Sequence, residues 1–146
     1  MSPLPRPALV LDTNVVLDWL LFGDPSSAPL ATAITQRQVR WIATAAMLDE
    51  LAEVLWRGLA AKCNAAPDAV LAAWGAQVEM VAEPTGLPAR AALQCTDPDD
   101  QKFLDLALTA GAHWLLSRDR ALLRLARRAA ALKLAITVPE RWRAPA

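Results

Sequence analysis

The sequence predicts an α/β fold, a parallel sheet covered by helices on both faces. Short apolar, strand-like runs alternate with longer stretches of helical periodicity along the 146 residues. The first run, "ALVL" at 8–11, has no polar alternation, as a strand buried on both faces requires. The loop signals "GDPSSAP" at 23–29 and "EPTGLP" at 83–88 are too short for interdomain linkers. One domain is therefore expected over 1–146, with its core over about 8–140.

The elements follow in order. After the strand at 8–11, residues 14–22 and 28–38 read as helices, and "VRWIA" at 39–43 as a strand. Residues 45–60 are helical, with Met47, Leu51, Val54 and Leu55 on one face. Pro67, a good first-turn residue, opens a helix over 68–76, and "VEMVA" at 78–82 is strand-like. Residues 98–110 form a helix that Gly111 closes. "HWLLS" at 113–117 is a strand, 119–131 a helix, and "LAITV" at 134–138 the last strand.

Composition excludes several classes. The chain is 55% hydrophobic and 21% charged, as expected of a soluble globular protein. No apolar run reaches the length of a membrane-spanning helix, and "MSPLPRP" has no signal-peptide core, so a cytoplasmic location is expected. Cys63 and Cys95 are too few for a disulfide framework and far from zinc spacing, and read as small packing residues. The formal net charge of zero argues against a nonspecific nucleic-acid binder. That balance hides a basic segment, Arg118 to Arg143, opposed only by Asp119 and Glu140, beside the acidic run "DPDD" at 97–100.

The carboxylates carry the chemistry. In an open parallel sheet, ligands bind outside the carboxyl ends of the strands. Asp12 ends the first strand, and Asp119 follows the strand at 113–117. In the helix from Pro98, Asp100 shares a face with Leu104, Ala107 and Leu108, while Gln101, Lys102, Asp105 and Thr109 face outward. Glu50 lies with Met47 and Val54, and Asp49, Glu53 and Arg57 look outward, Glu53 and Arg57 as an i,i+4 pair. Two like charges about 4 Å apart repel by about 4 kcal/mol at an effective dielectric near 20. Clustered acids therefore need protons, basic residues or a metal, and oxygen-only ligands suit Mg²⁺ or Mn²⁺.

Blander readings exist for each member. Asp12, Asp97 and Asp119 each precede a helix, where Asp is a favoured cap, and Glu50 alone reads as a boundary residue. One cap does not need the three carboxylates Asp97, Asp99 and Asp100, so the case rests on the set. Arg120, Arg124, Arg127 and Arg128 recur on one helix face, either as a phosphate track or as a solvated surface. His113 lies far in pattern from any Cys or Ser partner and reads as structural. Trp19 and Trp114 read as core, whereas Trp56 and Trp74 sit toward the less buried sides of their helices.

The segments "VLDTNVVLDWLL", "TAAMLDELAEVLWR", "CTDPDDQKFLDLALTAGAHWLLSRDRALL" and "ITVPE" resemble the PIN domain, in particular the bacterial and archaeal group described as toxins of toxin–antitoxin pairs. The resemblance runs from about Leu9 to Glu140. It implies a Rossmann-like three-layer α/β/α sandwich and a ribonuclease that uses Mg²⁺ or Mn²⁺. The family's catalytic, metal-holding acids fall on Asp12, Glu50, Asp100 and Asp119. Its accompanying polar positions fall on Thr13, Asn14, Thr44 and Ser117, and Asp97 is expected to support the ligands from behind. Arg120, Arg124 and Arg128 are the candidates for RNA contact. Asp12, Asp100 and Asp119 would hold one metal, and Glu50 a second metal or the attacking water. The acid that many such toxins carry shortly after the last one is replaced here by Arg120, Ala121 and Leu122. The resemblance also implies an antitoxin partner and a homodimer.

Competing readings fit less well. A phosphatase working through an aspartyl-phosphate needs a second Asp where Asn14 stands, and a receiver domain needs a strand-ending Lys that the sequence lacks. No glycine-rich nucleotide loop occurs. A PIN-like RNA- or protein-binding module without cleavage is the remaining alternative, against which the presence of all four acids weighs.

Overall fold

The computed structural model describes residues 6–59, 62, 66–85 and 93–145. Cys63 and part of the loop at 83–88 lie outside the described residues. The strands are β1 (Ala8–Leu11), β2 (Arg40–Ala43), β3 (Glu79–Met80), β4 (Trp114–Leu116) and β5 (Ala135–Thr137). The helices are α1 (Thr13–Leu20), α2 (Ala28–Thr35), α3 (Ala45–Val54), α4 (Pro67–Gln77), α5 (Gln101–Thr109), α6 (Arg120–Leu123) and α7 (Ala126–Ala131).

The sheet order is β3-β2-β1-β4-β5, and every neighbouring pair is parallel. The chain thus moves outward from β1 to β3, then returns and moves outward the other way. Right-handed crossovers running in opposite directions put their helices on opposite faces. The reversal lies between β1 and β4, where Leu9 pairs with Trp114 and Leu11 with Leu116. All four β1 residues are buried, which accounts for their unbroken apolar run. No helix among the described residues is long and apolar enough to cross a membrane.

Tryptophans fill much of the core. Trp41 packs 5.4 Å from Trp19 and edge-on to Trp74 at 5.7 Å, centroid to centroid. Trp114 meets Trp142 edge-on at 5.6 Å. The expectation for Trp74 was therefore wrong: it is buried, because α4 turns that side onto Trp41. Trp56 is 62% exposed, as expected. His113 is exposed and stacks at a tilt 5.5 Å from Trp114.

Other boundaries shift for local reasons. After α3 the backbone widens into a π-turn over Leu55–Leu59, where Gly58 has φ 103°, a conformation glycine adopts without strain. Gly111, at φ 66°, closes α5 as expected, with Ala112 N–H reaching the Ala107 carbonyl at 2.9 Å. The expected helix at 119–131 divides into α6 and α7, because the backbone tightens at Leu125, whose N–H bonds the Leu122 carbonyl at 3.0 Å. Both leucines thereby turn inward.

Helix α5 departs most from its expected pattern. It packs on β1 and β4, and its supposedly outward Gln101 and Asp105 are buried. The segment at 93–95 covers that side. Gln101 accepts from the Cys95 N–H at 2.6 Å and donates to the Leu93 carbonyl at 3.1 Å and to Asp105 at 2.8 Å. Cys95 is buried, as a packing cysteine should be, and burial pushes its thiol pKa up.

Candidate metal centre

The acids gather at the carboxyl ends of β1 and β4, on the reversal point of the sheet. Asp12 leaves β1 in extended conformation and caps α1, its Oδ1 accepting from Val15 N–H at 3.0 Å. Its Oδ2 accepts from the hydroxyl of Ser117, which follows β4. Asp12 is 3% exposed. Burial pushes its pKa up, the Ser117 and Val15 bonds pull it down, and the Asp119 charge pushes it up again, with a net rise.

Ser117 is fully buried and works in two directions, because its oxygen also accepts from the Asp119 N–H at 2.9 Å. Asp119 then caps α6 through Oδ1, on the Ala121 N–H at 2.8 Å. The capping readings of Asp12 and Asp119 are therefore true, and compatible with a second use of each carboxylate.

Asp97 does not cap a helix. It accepts from Asp99 N–H at 2.9 Å, and α5 starts four residues later, with Asp100 as its N-cap residue. The turn places Asp97 in the acidic group itself rather than behind it. One carboxylate oxygen from each of Asp97, Asp100 and Asp119 lies within 4.8 Å of the other two.

Asp100 is the pivotal member. Its Oδ2 is buried and has no hydrogen-bond partner among the described residues. Asp119 faces it, one acceptor against another, and their bond forms only when a proton lies between them. Burial first, then Asp119 and the neighbouring charges of Asp97 and Asp12, push the Asp100 pKa up to about 7. A buried oxygen without a donor, in an oxygen-only group of acids, fits a hard divalent cation such as Mg²⁺ or Mn²⁺.

Glu50, on α3, is drawn elsewhere. Its Oε2 accepts from the Thr13 hydroxyl, and its Oε1 accepts from Lys102 Nζ at 2.9 Å. Neither Glu50 nor Asp12 belongs to the three-acid group. Thr44 caps the start of α3 and is fully buried, its hydroxyl without a partner among the described residues. Asn14 is exposed on the first turn of α1. Arg120, Arg124, Arg127 and Arg128 are all exposed.

Lys102 and Arg118 are the participants that sequence reasoning missed. Lys102 was placed on an outward face. Arg118, between Ser117 and Asp119, donates to Asp18 at 2.8 Å and to Ser26 at 2.8 Å, and pairs with Glu140 at 2.5 Å. It pins the Ser117–Asp119 loop to three other parts of the chain. Its position inside "SRD" was visible, but its partners lie 92 or more residues away for Ser26 and Asp18. A separate cavity of about 550 Å³, lined by Arg6, Arg37, Arg40 and Glu79 among others, sits at the opposite, amino ends of β2 and β3.

The profile of the PIN domain matches residues 8–121. The chain belongs to the PIN-domain family. PIN domains are generally nucleases that use divalent metals, in keeping with the acidic group. Among solved structures, this PIN domain is similar in fold to a chain of VapBC2 from Rickettsia felis bound to a DNA fragment from their promoter. The TM-score is 0.59 at 13% identity, covering 88% of this chain and 96% of that one. No curated protein sequence matches it.

Proposed function

We propose that this PIN domain is a metal-dependent endoribonuclease and the toxin of a toxin–antitoxin pair. The observation that carries the reading is the buried, donorless Oδ2 of Asp100, set within 4.8 Å of carboxylate oxygens of Asp97 and Asp119. Burial of an unpaired acceptor costs about 1–3 kcal/mol unless something meets it, and a divalent cation meets it best. The toxin role draws on likeness of fold to a chain of a VapBC2 complex. It brings with it an antitoxin protein as partner, a homodimer as assembly and the cytoplasm as location.

Asp97, Asp100 and Asp119 would hold Mg²⁺ or Mn²⁺, which supplies positive charge for the phosphate oxygens and makes water a stronger nucleophile. Asp12 acts through Ser117. Its carboxylate holds the hydroxyl that in turn holds the Asp119 backbone, fixing where Asp119 presents its free oxygen. Thr13 and Lys102 fix Glu50, which orients the attacking water. Asn14, exposed at the rim, would bond the substrate, whereas the fully buried Thr44 hydroxyl would act from behind the site. Hydrolysis forms one P–O bond from water, breaks the P–O bond to the neighbouring ribose, and leaves the proton on the departing oxygen. Arg120, Arg124 and Arg128 provide positive charge beside Asp119 for the RNA backbone.

The test is RNA cleavage by the purified chain with Mg²⁺, Mn²⁺ or EDTA. Internal cuts should appear with metal, vanish in EDTA, and vanish in Asp100→Asn. Cleavage by a folded Asp100→Asn chain equal to wild type overturns the reading.

A further inference from the structure

Glu50 lies outside the three-acid group with both oxygens engaged, by Thr13, the neighbour of Asp12, on one side and by Lys102 on the other. Lys102 lies on the first turn of α5, two residues after Asp100. Its ammonium is fixed by three partners: Glu50 at 2.9 Å, the Asp99 carbonyl at 2.5 Å and the Phe103 ring at 4.8 Å from its centre. The Lys102 and Glu50 side chains are only 26% and 29% exposed. A free lysine samples many rotamers, and this one is held to a single place. It therefore puts a compact positive point charge on Glu50, from the first turn of the helix that follows Asp100.

We propose that Lys102 is the centre's fixed second cation: it occupies Glu50, so that the chain takes one divalent ion, on Asp97, Asp100 and Asp119, and not two. The inference rests on the nuclease reading above. A divalent ion at Glu50 would have to displace an ammonium from 2.9 Å and then lie against its charge. The three residues after Asp119, Arg120, Ala121 and Leu122, add no carboxylate to compensate. Lys102 is thus a positioning residue. It holds Glu50 in place without the charge of a second ion, and it keeps a positive group near the edge where a phosphate would arrive.

Mn²⁺ titration of the whole chain tests this, with free Mn²⁺ followed by electron paramagnetic resonance. Wild type should bind one Mn²⁺ per chain. Lys102→Met and Lys102→Gln, neutral changes at a partly exposed position, should each gain a second, weaker equivalent. Adding Glu50→Gln to either should remove that equivalent, and Lys102→Arg should stay at one. Should Lys102→Met fail to fold, as judged by circular dichroism, Lys102→Gln decides. Two Mn²⁺ on wild type, or one on wild type and on the neutral variants alike, overturns the inference and leaves the nuclease reading standing. No Mn²⁺ on wild type overturns both.

Discussion

The Ser117 hydroxyl donates to the Asp12 carboxylate across 105 residues of sequence, joining the end of β4 to the end of β1. The same oxygen accepts from Asp119 N–H, so one buried hydroxyl links two acids of different strands.

Removing that hydroxyl separates stability from chemistry. Ser117→Ala leaves Asp12 Oδ2 buried without its donor, which costs about 1–3 kcal/mol. Urea unfolding should show that loss, and RNA cleavage should fall about 10–100-fold, because Asp119 loses its backbone anchor. Asp12→Asn keeps the oxygen that Val15 needs. It should stay folded and lose metal-dependent cleavage; full cleavage by that variant would show that Asp12 is only a cap.

Metal should stabilise the folded chain. A ligand that binds only the folded state adds about 2.7 kcal/mol at 100 times its Kd. Thermal unfolding with Mg²⁺ or Mn²⁺ against EDTA should show this rise in wild type and none in Asp100→Asn.

The stability of the metal-free chain should fall with rising pH over one window. The Asp100 carboxyl sits at about 7 when folded, against its ordinary 3.8. Between those values the folded chain holds a proton that the unfolded chain has released, so stability drops from about pH 4 to about pH 7 and then levels. Asp12, also raised, acts in the same direction. Urea unfolding in EDTA at pH 5 and pH 8 should show Asp100→Asn gaining on wild type at the higher pH. Metal must displace that proton, so its apparent affinity should rise about tenfold per pH unit below 7.

Arg118→Ala should loosen the loop that carries Ser117 and Asp119. Its charge-assisted bonds to Asp18, Ser26 and Glu140 are partly exposed, and solvent screening lowers their joint worth to about 1–2 kcal/mol. Chemical denaturation checks the cost. Lys at this position should recover only part of it, since an ammonium cannot span the same partners.

The arginines of the α6–α7 segment give a prediction in salt. If Arg124 and Arg128 follow the RNA backbone, the double alanine variant should flatten the dependence of RNA affinity on salt by about 1–2 counterions. An unchanged slope assigns them to an ordinary solvated face.

The parallel sheet was legible because β1 is apolar on both faces and because short strands alternate with helical segments. Asp12 and Asp119 were legible as acids at strand ends, and Asp100 as an acid on an apolar stripe. Periodicity shows which residues share a face, but not what later covers that face. Gln101 and Asp105 look like surface residues until the segment at 93–95 closes over them. Trp74 looks peripheral on its helix until Trp41 meets it from β2. The hold of Lys102 on Glu50 spans 52 residues, and no local pattern encodes it. The segment from Asp97 to Asp100 reads as one helical start, but it is a turn, in which Asp97 accepts from Asp99 N–H and lies in one group with Asp100 and Asp119.

The position of β1 between β2 and β4 has a consequence for how the chain is made. As it leaves the ribosome, β1 gains β2, on which β3 then pairs, and waits with its other edge bare. Asp12 is present from the beginning, yet its partner Ser117 and the last acid, Asp119, arrive only after β4 has been made. At about 5–20 residues per second, that interval is on the order of 5–20 s. A growing chain therefore has no assembled carboxylate centre until β4 and the Ser117–Asp119 loop have emerged, so chemistry that needs all of these acids cannot begin earlier.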